Sequence, residues 1–439
     1  MHKSFRPFRN TASSFLLACS FSLLTAGLSY AETGQPSGTQ FPAASFGNFP
    51  ILQRTHMSPT KLPDGSFYVP AVMSTIRWGY LPNKESKAIL TVPSKSQITF
   101  DTLSSEGMVE DQGRDPVKFF GKFGVRPNQV LNDAIEICAS DLPHSIVKDG
   151  PHIIIGPVAI DGAQPGDVLK VDVISLTPRV PYGIVGNRHG KGALPGEFPQ
   201  NDGPESGADR DHPELFGNVF TFVPIKNIDG KWNGIVHNAA GKEVHFPIHP
   251  FMGIMGVAPD TTERVNSIPP SSYGGNLDLK DLTQGSSLYL PVQVPSGMFF
   301  LGDCHFAQGD GEVALTAVEG SLRTTLRLTL LKAGDPAIPI KGLMTEPFGE
   351  TAEYWMPIGL DSDLNEAMKK TVRTAIKFLT ETLGMDPATA MAYMSGATDF
   401  EITQVVDETK GVHAHIRKKD FSEIKRLPQI STTKKGPAI

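Results

Sequence analysis

The chain has few cysteines, no surplus of basic residues and, after its N-terminal leader, no long apolar run. It holds three cysteines in 439 residues, and Cys19 lies in the leader, so a disulfide framework does not hold the fold together. The residues leave open whether Cys138 and Cys304 form a bridge. A formal net charge of −6 argues against nucleic-acid binding. The absence of a second apolar run predicts no membrane association once the leader is removed.

The N-terminus has the composition of an export signal. Three basic residues precede a mostly apolar stretch at residues 15–28, and Ser29-Tyr30-Ala31 fits the small-x-small cleavage pattern. The stretch is shorter than the ~20 apolar residues that a membrane helix requires. We therefore predict a signal peptide at residues 1–31, followed by a flexible arm at 32–50 that is rich in Gly, Pro, Ser and Thr. The protein is expected to be exported, to the periplasm or to the medium.

Glycine and proline are abundant, with 43 and 36 residues, which favours short strands and many turns over long helices. Residues 322–331 alternate as a half-buried strand does, whereas apolar residues recur at helical spacing within 361–396. We predict one β-rich α+β region at 51–430. A long Gly/Pro-rich loop insertion at about 178–216 and the C-terminal helical part belong to it.

The richest stretch chemically is residues 302–312, Gly-Asp-Cys-His-Phe-Ala-Gln-Gly-Asp-Gly-Glu, which follows an apolar run. Asp303 and His305 are two residues apart and point to one side of an extended strand, and the same holds for Asp310 and Glu312. Burying several carboxylates is costly unless they are paired, protonated or bound to a cation.

Three histidines elsewhere are further candidate metal ligands. The apolar flanks of His249, together with Pro250, suggest that it is buried in extended backbone. His413 and His415 lie on one face of a strand, as a metal pair or as solvated edge residues.

The central stretch resembles the Gly-Asp-x-His-x-x-Gln-Gly-Asp-Gly-Glu signature of the acetamidase/formamidase family of amide hydrolases. Further blocks that resemble the family follow in order along the chain: residues 75–80, 162–169, His249-Pro250 with Gly253, 274–278, 290–292, 405–406 and 411–414. The leader and the blocks at 106–116 and 187–197 are similar to a longer, exported subgroup.

The resemblance implies a β-sandwich-like fold with helices toward the C-terminus, a divalent metal, with Zn²⁺ expected, and a homo-oligomer. It also implies hydrolysis of a short linear amide such as formamide or acetamide to a carboxylate and ammonia.

A catalytic zinc ion takes about three protein ligands and keeps one open position. We assign the ligands to His249, Asp303 and His305, and the proton transfers to Glu312 or Asp310. An alternative assignment places Glu312 on the metal and makes Asp303 the base.

Other residues complete the predicted site. Gln308 orients a ligand or holds the amide carbonyl, and Arg188 and His189 close over the substrate from the long loop. Glu319 follows Glu312 by seven residues, which in a regular strand places it on the opposite face, as an outer candidate.

Two alternatives stay open. Cys304 beside His305 suggests a Cys/His nucleophile, although adjacent strand residues point to opposite faces. The second alternative is an exported, metal-containing β-sandwich protein that binds a ligand without turning it over.

Overall fold

A computed structural model describes residues 49–424 of the protein. The predicted signal peptide and nearly all of the predicted arm lie outside the described residues, so both stay predictions. Among residues 49–424, no helix has the length and apolarity needed to cross a bilayer.

Strands dominate the described part of the chain. In chain order they are β1 (Thr60–Lys61), β2 (Phe67–Val69), β3 (Ile76–Trp78), β4 (Tyr80–Leu81), β5 (Leu90–Val92), β6 (Ser96–Asp101), β7 (Ile153–Ile160), β8 (Val168–Pro178), β9 (Tyr182–Asn187), β10 (Val219–Ile228), β11 (Lys231–His237), β12 (Glu243–Pro247), β13 (Phe251–Val257), β14 (Val265–Asn266), β15 (Gly274–Asn276), β16 (Ser287–Pro291), β17 (Phe299–Ala307), β18 (Val318–Glu319), β19 (Leu322–Leu331), β20 (Phe348–Glu350), β21 (Tyr354–Asp361), β22 (Asp399–Gln404) and β23 (Lys410–Arg417).

Helices are short in the N-terminal half and longer near the C-terminus. The α-helices are α1 (Pro116–Gly121), α2 (Asn132–Cys138), α3 (Leu364–Lys377) and α4 (Pro387–Ala397). Single turns of 3₁₀ helix occupy Glu110–Gln112, Pro127–Gln129, Pro213–Phe216 and Lys418–Phe421, and a π-helical turn at Phe378–Thr382 extends α3.

Within these residues the strands form two large sheets. A ten-stranded sheet has the order β1-β2-β6-β19-β8-β16-β20-β21-β23-β22. An eleven-stranded sheet has the order β12-β11-β10-β9-β18-β17-β13-β15, with β7 pairing β17 and carrying β3 and β5. Nearly all pairings are antiparallel, which matches the short connections between strands.

The main hydrophobic core lies between the two sheets. It combines Ile98 and Leu326 from the first sheet with Ile154 and Phe300 from the second, and all four are fully buried. Thr324 donates a hydrogen bond across the interface to the sulfur of Met252, at 3.2 Å. The face-to-face packing confirms the predicted sandwich-like, β-rich class.

The C-terminal helices cover one end of the first sheet. Asp363 caps α3 by accepting hydrogen bonds from the backbone of the first turn, and Asp386 caps α4 in the same way, with Pro387 in the first turn. A second core of Phe348, Trp355 and Phe378 joins α3 to the sheet. The helices predicted within 361–396 are therefore confirmed.

Of two further predictions of local structure, one agrees with the structure and the other differs in where the loop begins. The strand predicted at 322–331 coincides with β19. The insertion predicted at about 178–216 includes β9, so its irregular part begins at Arg188.

Candidate active site

Strand β17 brings Asp303 and His305 into the centre of the eleven-stranded sheet. Its neighbour β13 pairs on either side of Asp303, through Ile254 with Gly302 and Met252 with Cys304, so Gly253 lies opposite Asp303. A Cβ atom on Gly253 would lie 2.4 Å from Asp278 Oδ1 and 2.6 Å from Asp303 Oδ2. Glycine is therefore required here because the acidic side chains occupy the space above it.

The imidazole of His305 contacts two acids of the site. It is fully buried, and its Nε2 lies 3.1 Å from Asp303 Oδ2 and 3.0 Å from Glu319 Oε1. Glu319 reaches it because β18 pairs with β17 and sets Glu319 opposite His305. Two carboxylates thus converge on one ring nitrogen.

Gln308 determines which nitrogen of His305 carries the proton. The Gln308 amide donates to the carbonyls of Asp278 at 2.8 Å and Thr403 at 3.3 Å, so its oxygen is the group that faces His305 Nδ1, at 3.1 Å. An amide oxygen only accepts, so Nδ1 carries the hydrogen and Nε2 presents a lone pair in the neutral ring. A lone pair that faces two carboxylates requires a proton or a cation between them.

The acids of the site stand on unusual backbone. Asp278, Asp303 and Glu312 have φ values of +49°, +53° and +47°, the left-handed region that non-glycine residues seldom adopt. Each such residue costs on the order of 1–3 kcal/mol and persists only where the surroundings enforce it. Three such residues in one site indicate that the fold holds their side chains in place at the cost of backbone strain.

Burial and mutual repulsion shift the ionisation of the cluster. Burial raises the pKa of Glu312 well above its ordinary value, and the charge of Asp278 raises it further. Burial likewise raises the pKa of Glu319 to about 8. Burial alone would lower the pKa of His305, but the carboxylates of Glu319 and Asp303 outweigh it and hold that pKa well above the ordinary range. The site therefore holds more buried carboxylates than its one imidazole can neutralise.

Several buried polar atoms here have no hydrogen-bond partner. They are His305 Nε2, both carboxylate oxygens of Asp278, Glu312 Oε2 and Glu319 Oε2. Two sets of three side chains have ligand atoms close enough for one ion, namely Asp303 with His305 and Glu319, and Asp278 with His305 and Glu312. Carboxylate oxygens and an imidazole nitrogen form a donor set that suits zinc. The residues therefore fit a divalent cation.

A cavity of about 140 Å³ opens beside the cluster. Its lining includes Asp303, Glu312, Glu319, His152, Arg188 and Glu106. Arg188 is held by Asp111 at 2.6 Å and Glu106 at 2.9 Å, so its charge is already paired. This volume is small beside the ~300–1,000 Å³ typical of pockets for drug-sized ligands.

The structure places the other predicted residues differently. His249 is exposed and has no ligand atom in either set, so its predicted burial was wrong. Asp310 is also exposed and pairs with Lys280 at 2.7 Å, because residues after Ala307 leave the strand. The structure therefore separates both residues from His305.

Arg188, His189 and Gln308, which the sequence predicted at the substrate, lie in different places. Arg188 lines the cavity, whereas the ring of His189 faces the carbonyl of Gly217 at 3.2 Å and is not part of the lining. Gln308 contacts His305 and two backbone carbonyls, which fits the predicted orientation of a ligand rather than contact with substrate.

Sequence reasoning missed three members of the cluster. Glu319 was expected on the opposite face, but residues 313–317 form a loop instead of a strand, and its strand pairing returns it to His305. Asp278 stood in a block that resembled the family, which was the available signal. His152, with Nε2 3.8 Å from Asp303 Oδ2, carried no signal in the sequence.

Cys304 lies beside the site without facing it. Its thiol is fully buried next to Thr102, and burial raises its pKa to about 12. A thiol of this kind is a poor nucleophile. Cys138 and Cys304 are both free, so the open question of a bridge is settled in the negative.

Solved structures identify the fold. An acetamidase from Bacillus halodurans superposes with a TM-score of 0.60 at 22% identity, covering 81% of this chain and 99% of that one. An acetamidase from Yersinia enterocolitica gives a TM-score of 0.60 at 24% identity, covering 83% and 96%. The chain thus has the fold found in acetamidases.

Sequence comparison points to one family. Residues 260–416 match the model of the Acetamidase/Formamidase family, and the chain is similar to that family through this segment. A formamidase from Methylophilus methylotrophus is 27% identical over 237 residues, covering 46% of this chain and 57% of that protein. An acetamidase from Mycolicibacterium smegmatis is 27% identical over 238 residues, covering 45% and 57%. The chain thus spans somewhat over half the length of these curated relatives.

We predict that Gly253→Ala removes the site while leaving the fold. The added methyl group would overlap Asp278 and Asp303, so the carboxylates must separate. We expect a loss of bound divalent metal, measured by elemental analysis of the purified variant.

Gly309→Ala is the matched control, because a Cβ atom there meets no neighbour within 4 Å. It should keep the metal content of the unmodified protein. Equal metal content in both variants would contradict the role given to Gly253.

Proposed function

We propose that this protein hydrolyses the carbon–nitrogen bond of a short linear amide, giving a carboxylate and ammonia. The observation that carries the proposal is the buried convergence of Asp303 and Glu319 on His305, with Glu312 beside them on a small cavity. All four residues lie within the segment that matches the family.

Asp303, His305 and Glu319 are the residues that would hold a divalent cation, with zinc as the expected ion. Bound there, zinc would lower the pKa of a coordinated water to about 7 and polarise the amide carbonyl. Gln308 accepts from Nδ1 of His305 and so keeps the lone pair of Nε2 directed at the two carboxylates. This ligand set replaces the predicted one by exchanging His249 for Glu319.

Glu312 is then the general base. It lines the cavity, and its Oε2 has no hydrogen-bond partner, so it is free to take a proton from water and deliver it to the departing nitrogen. Its raised pKa makes the protonated form a competent donor for the second step.

The alternative assignment places Glu312 on the metal and makes Asp303 the base, and the set of Asp278, His305 and Glu312 would supply its ligands. Toward Asp278 the ring presents Nδ1, which lies 3.9 Å from Asp278 Oδ1 and already faces the amide oxygen of Gln308 at 3.1 Å. The hydrogen bond to Gln308 therefore favours the first assignment.

The cavity favours a small and neutral substrate. Its volume of about 140 Å³ limits the acyl group, and Arg188 has no spare charge for a substrate carboxylate because Glu106 and Asp111 occupy it. Formamide and acetamide are the first candidates. Glu106, His152 and Arg188, which line the same cavity, lie outside the segment matched by the family model.

Two properties of the whole protein belong to the proposal. The leader predicted at residues 1–31 supports action outside the cytoplasm, and the family resemblance supports a homo-oligomer. Neither enters the chemistry derived above.

The test of the proposed function is ammonia release from a panel of formamide, acetamide, longer amides, nitriles and esters. We expect turnover of the shortest amides and its loss after chelation, with recovery on adding zinc. Stoichiometric metal binding without turnover of any member would favour the alternative of a binding protein.

Glu312→Gln should lower kcat by roughly 10²–10⁴-fold, since general base catalysis contributes that much. Bound metal should be unchanged, whereas the rival assignment predicts its loss. The exposed Glu353→Gln is the control and should keep full activity.

The pH profile provides a separate prediction. The base must be deprotonated, and burial raises the pKa of Glu312 above its ordinary 4.5. The rate should therefore rise with pH along a limb that lies above the ordinary carboxyl range, and Glu312→Gln should lose that limb. A profile flat across that range in the unmodified enzyme would contradict the assignment.

Cys304→Ala should retain activity within a few-fold, because the thiol is buried and faces Thr102. The measurement is kcat/KM on the best amide of the panel. Complete loss of activity in a folded variant, judged by circular dichroism, would instead favour the Cys/His nucleophile.

A further inference from the structure

A second cluster of metal-ligating side chains lies near the C-terminus, which we call the C-terminal cluster: Asp281, Glu401, His413 and His415. One ligand atom from each lies within 4.8 Å of the others. His415 Nε2 is 3.2 Å and His413 Nε2 is 3.5 Å from the same oxygen, Asp281 Oδ2. His415 Nδ1 lies 3.3 Å from Glu401 Oε1.

The two histidines are not solvated edge residues. His413 is fully buried and His415 is 8% exposed, with its ring stacked on Tyr354 at a centroid distance of 4.6 Å. The β22–β23 hairpin places them there, since β23 is covered by α3 on one side. Of the two interpretations that the sequence left open, the structure supports the metal pair.

His413 points an unpartnered nitrogen into the cluster. Its Nδ1 lies 2.9 Å from Thr403 Oγ1, whereas its Nε2 is buried and makes no hydrogen bond. A ring held through one nitrogen by a protein oxygen, with the other directed at carboxylates, is the usual arrangement of a histidine ligand.

The charge of the cluster calls for a divalent ion. Lys280 Nζ lies 2.7 Å from Asp310 Oδ2 and 3.4 Å from both Asp281 and Glu401. Three carboxylates and one ammonium leave a surplus of two negative charges before the two imidazoles are counted. The lysine is strongly engaged only with Asp310, which leaves Asp281 and Glu401 available as ligands.

We propose that the C-terminal cluster binds a second divalent cation, with Zn²⁺ the best match to two imidazoles and two carboxylates. Four protein ligands make a closed site of the structural kind, in contrast to the open position of a catalytic site. The ion would join the β22–β23 hairpin to the segment at residues 278–282, which carries Asp278 into the candidate active site.

A hydrogen-bonded path connects the two clusters. Thr403 contacts His413 through its hydroxyl, its carbonyl accepts from Gln308 at 3.3 Å, and Gln308 faces His305. The second ion would therefore hold the segments that position the first site, without contacting substrate.

The experiment is zinc uptake by the full chain after chelator stripping and dialysis against a zinc buffer, measured by elemental analysis. We compare the unmodified protein with His415→Ala, Asp281→Asn and His305→Ala. The control His245→Ala removes an exposed histidine that also pairs with a carboxylate.

Each of His415→Ala and Asp281→Asn should take up one zinc equivalent fewer than the unmodified protein and the His245→Ala control. His305→Ala should still fill the C-terminal cluster. Chelation should lower the Tm of His305→Ala, whose remaining zinc lies in the C-terminal cluster.

An anomalous difference map at the zinc edge, from crystals of the unmodified protein, gives a readout that needs no variant. We expect a peak between Asp281 and His415. Absence of that peak, or equal zinc uptake by Asp281→Asn and the unmodified protein, would overturn the proposal. This holds whether or not the protein hydrolyses amides.

Discussion

The contact on which this structure depends is the convergence of two carboxylates on one nitrogen of a buried histidine. His305 Nε2 lies 3.0 Å from Glu319 and 3.1 Å from Asp303, in a place where water cannot screen the charges. The cost of burying such groups is several kcal/mol per ion unless a compensating charge is present. A proton or a divalent cation must therefore belong to the folded state.

The surrounding fold is arranged to keep that contact. Gly253 leaves room for the carboxylates, and left-handed backbone at Asp278, Asp303 and Glu312 directs the acids inward. The core between the sheets holds β17 and β13 in register, so the strain stays local. Packing energy from the sandwich thereby stabilises a site that is unfavourable by itself.

The sequence predictions agreed with the structure for part of the segment at residues 302–312 and failed where apolar flanks or regular alternation were taken to fix the position of a side chain. Asp303, His305 and Glu312 come together as a short motif predicted. His249 was misplaced because apolar neighbours indicate burial of the segment and not of each side chain. Asp310 was misplaced because Gly309 and Gly311 break the alternation on which the same-face argument rested.

The sequence alone determined the β-rich class, the C-terminal helices and the motif that resembles the acetamidase/formamidase family, because each rests on local periodicity or on contiguous residues. Only the tertiary structure brought the candidate ligands together. Glu319 reaches His305 through the pairing of β18 with β17, and Asp281 meets His413 and His415 across more than a hundred residues of chain. Contacts of this kind depend on strand register, which hydrophobic pattern and turn geometry specify only once the sheets have assembled.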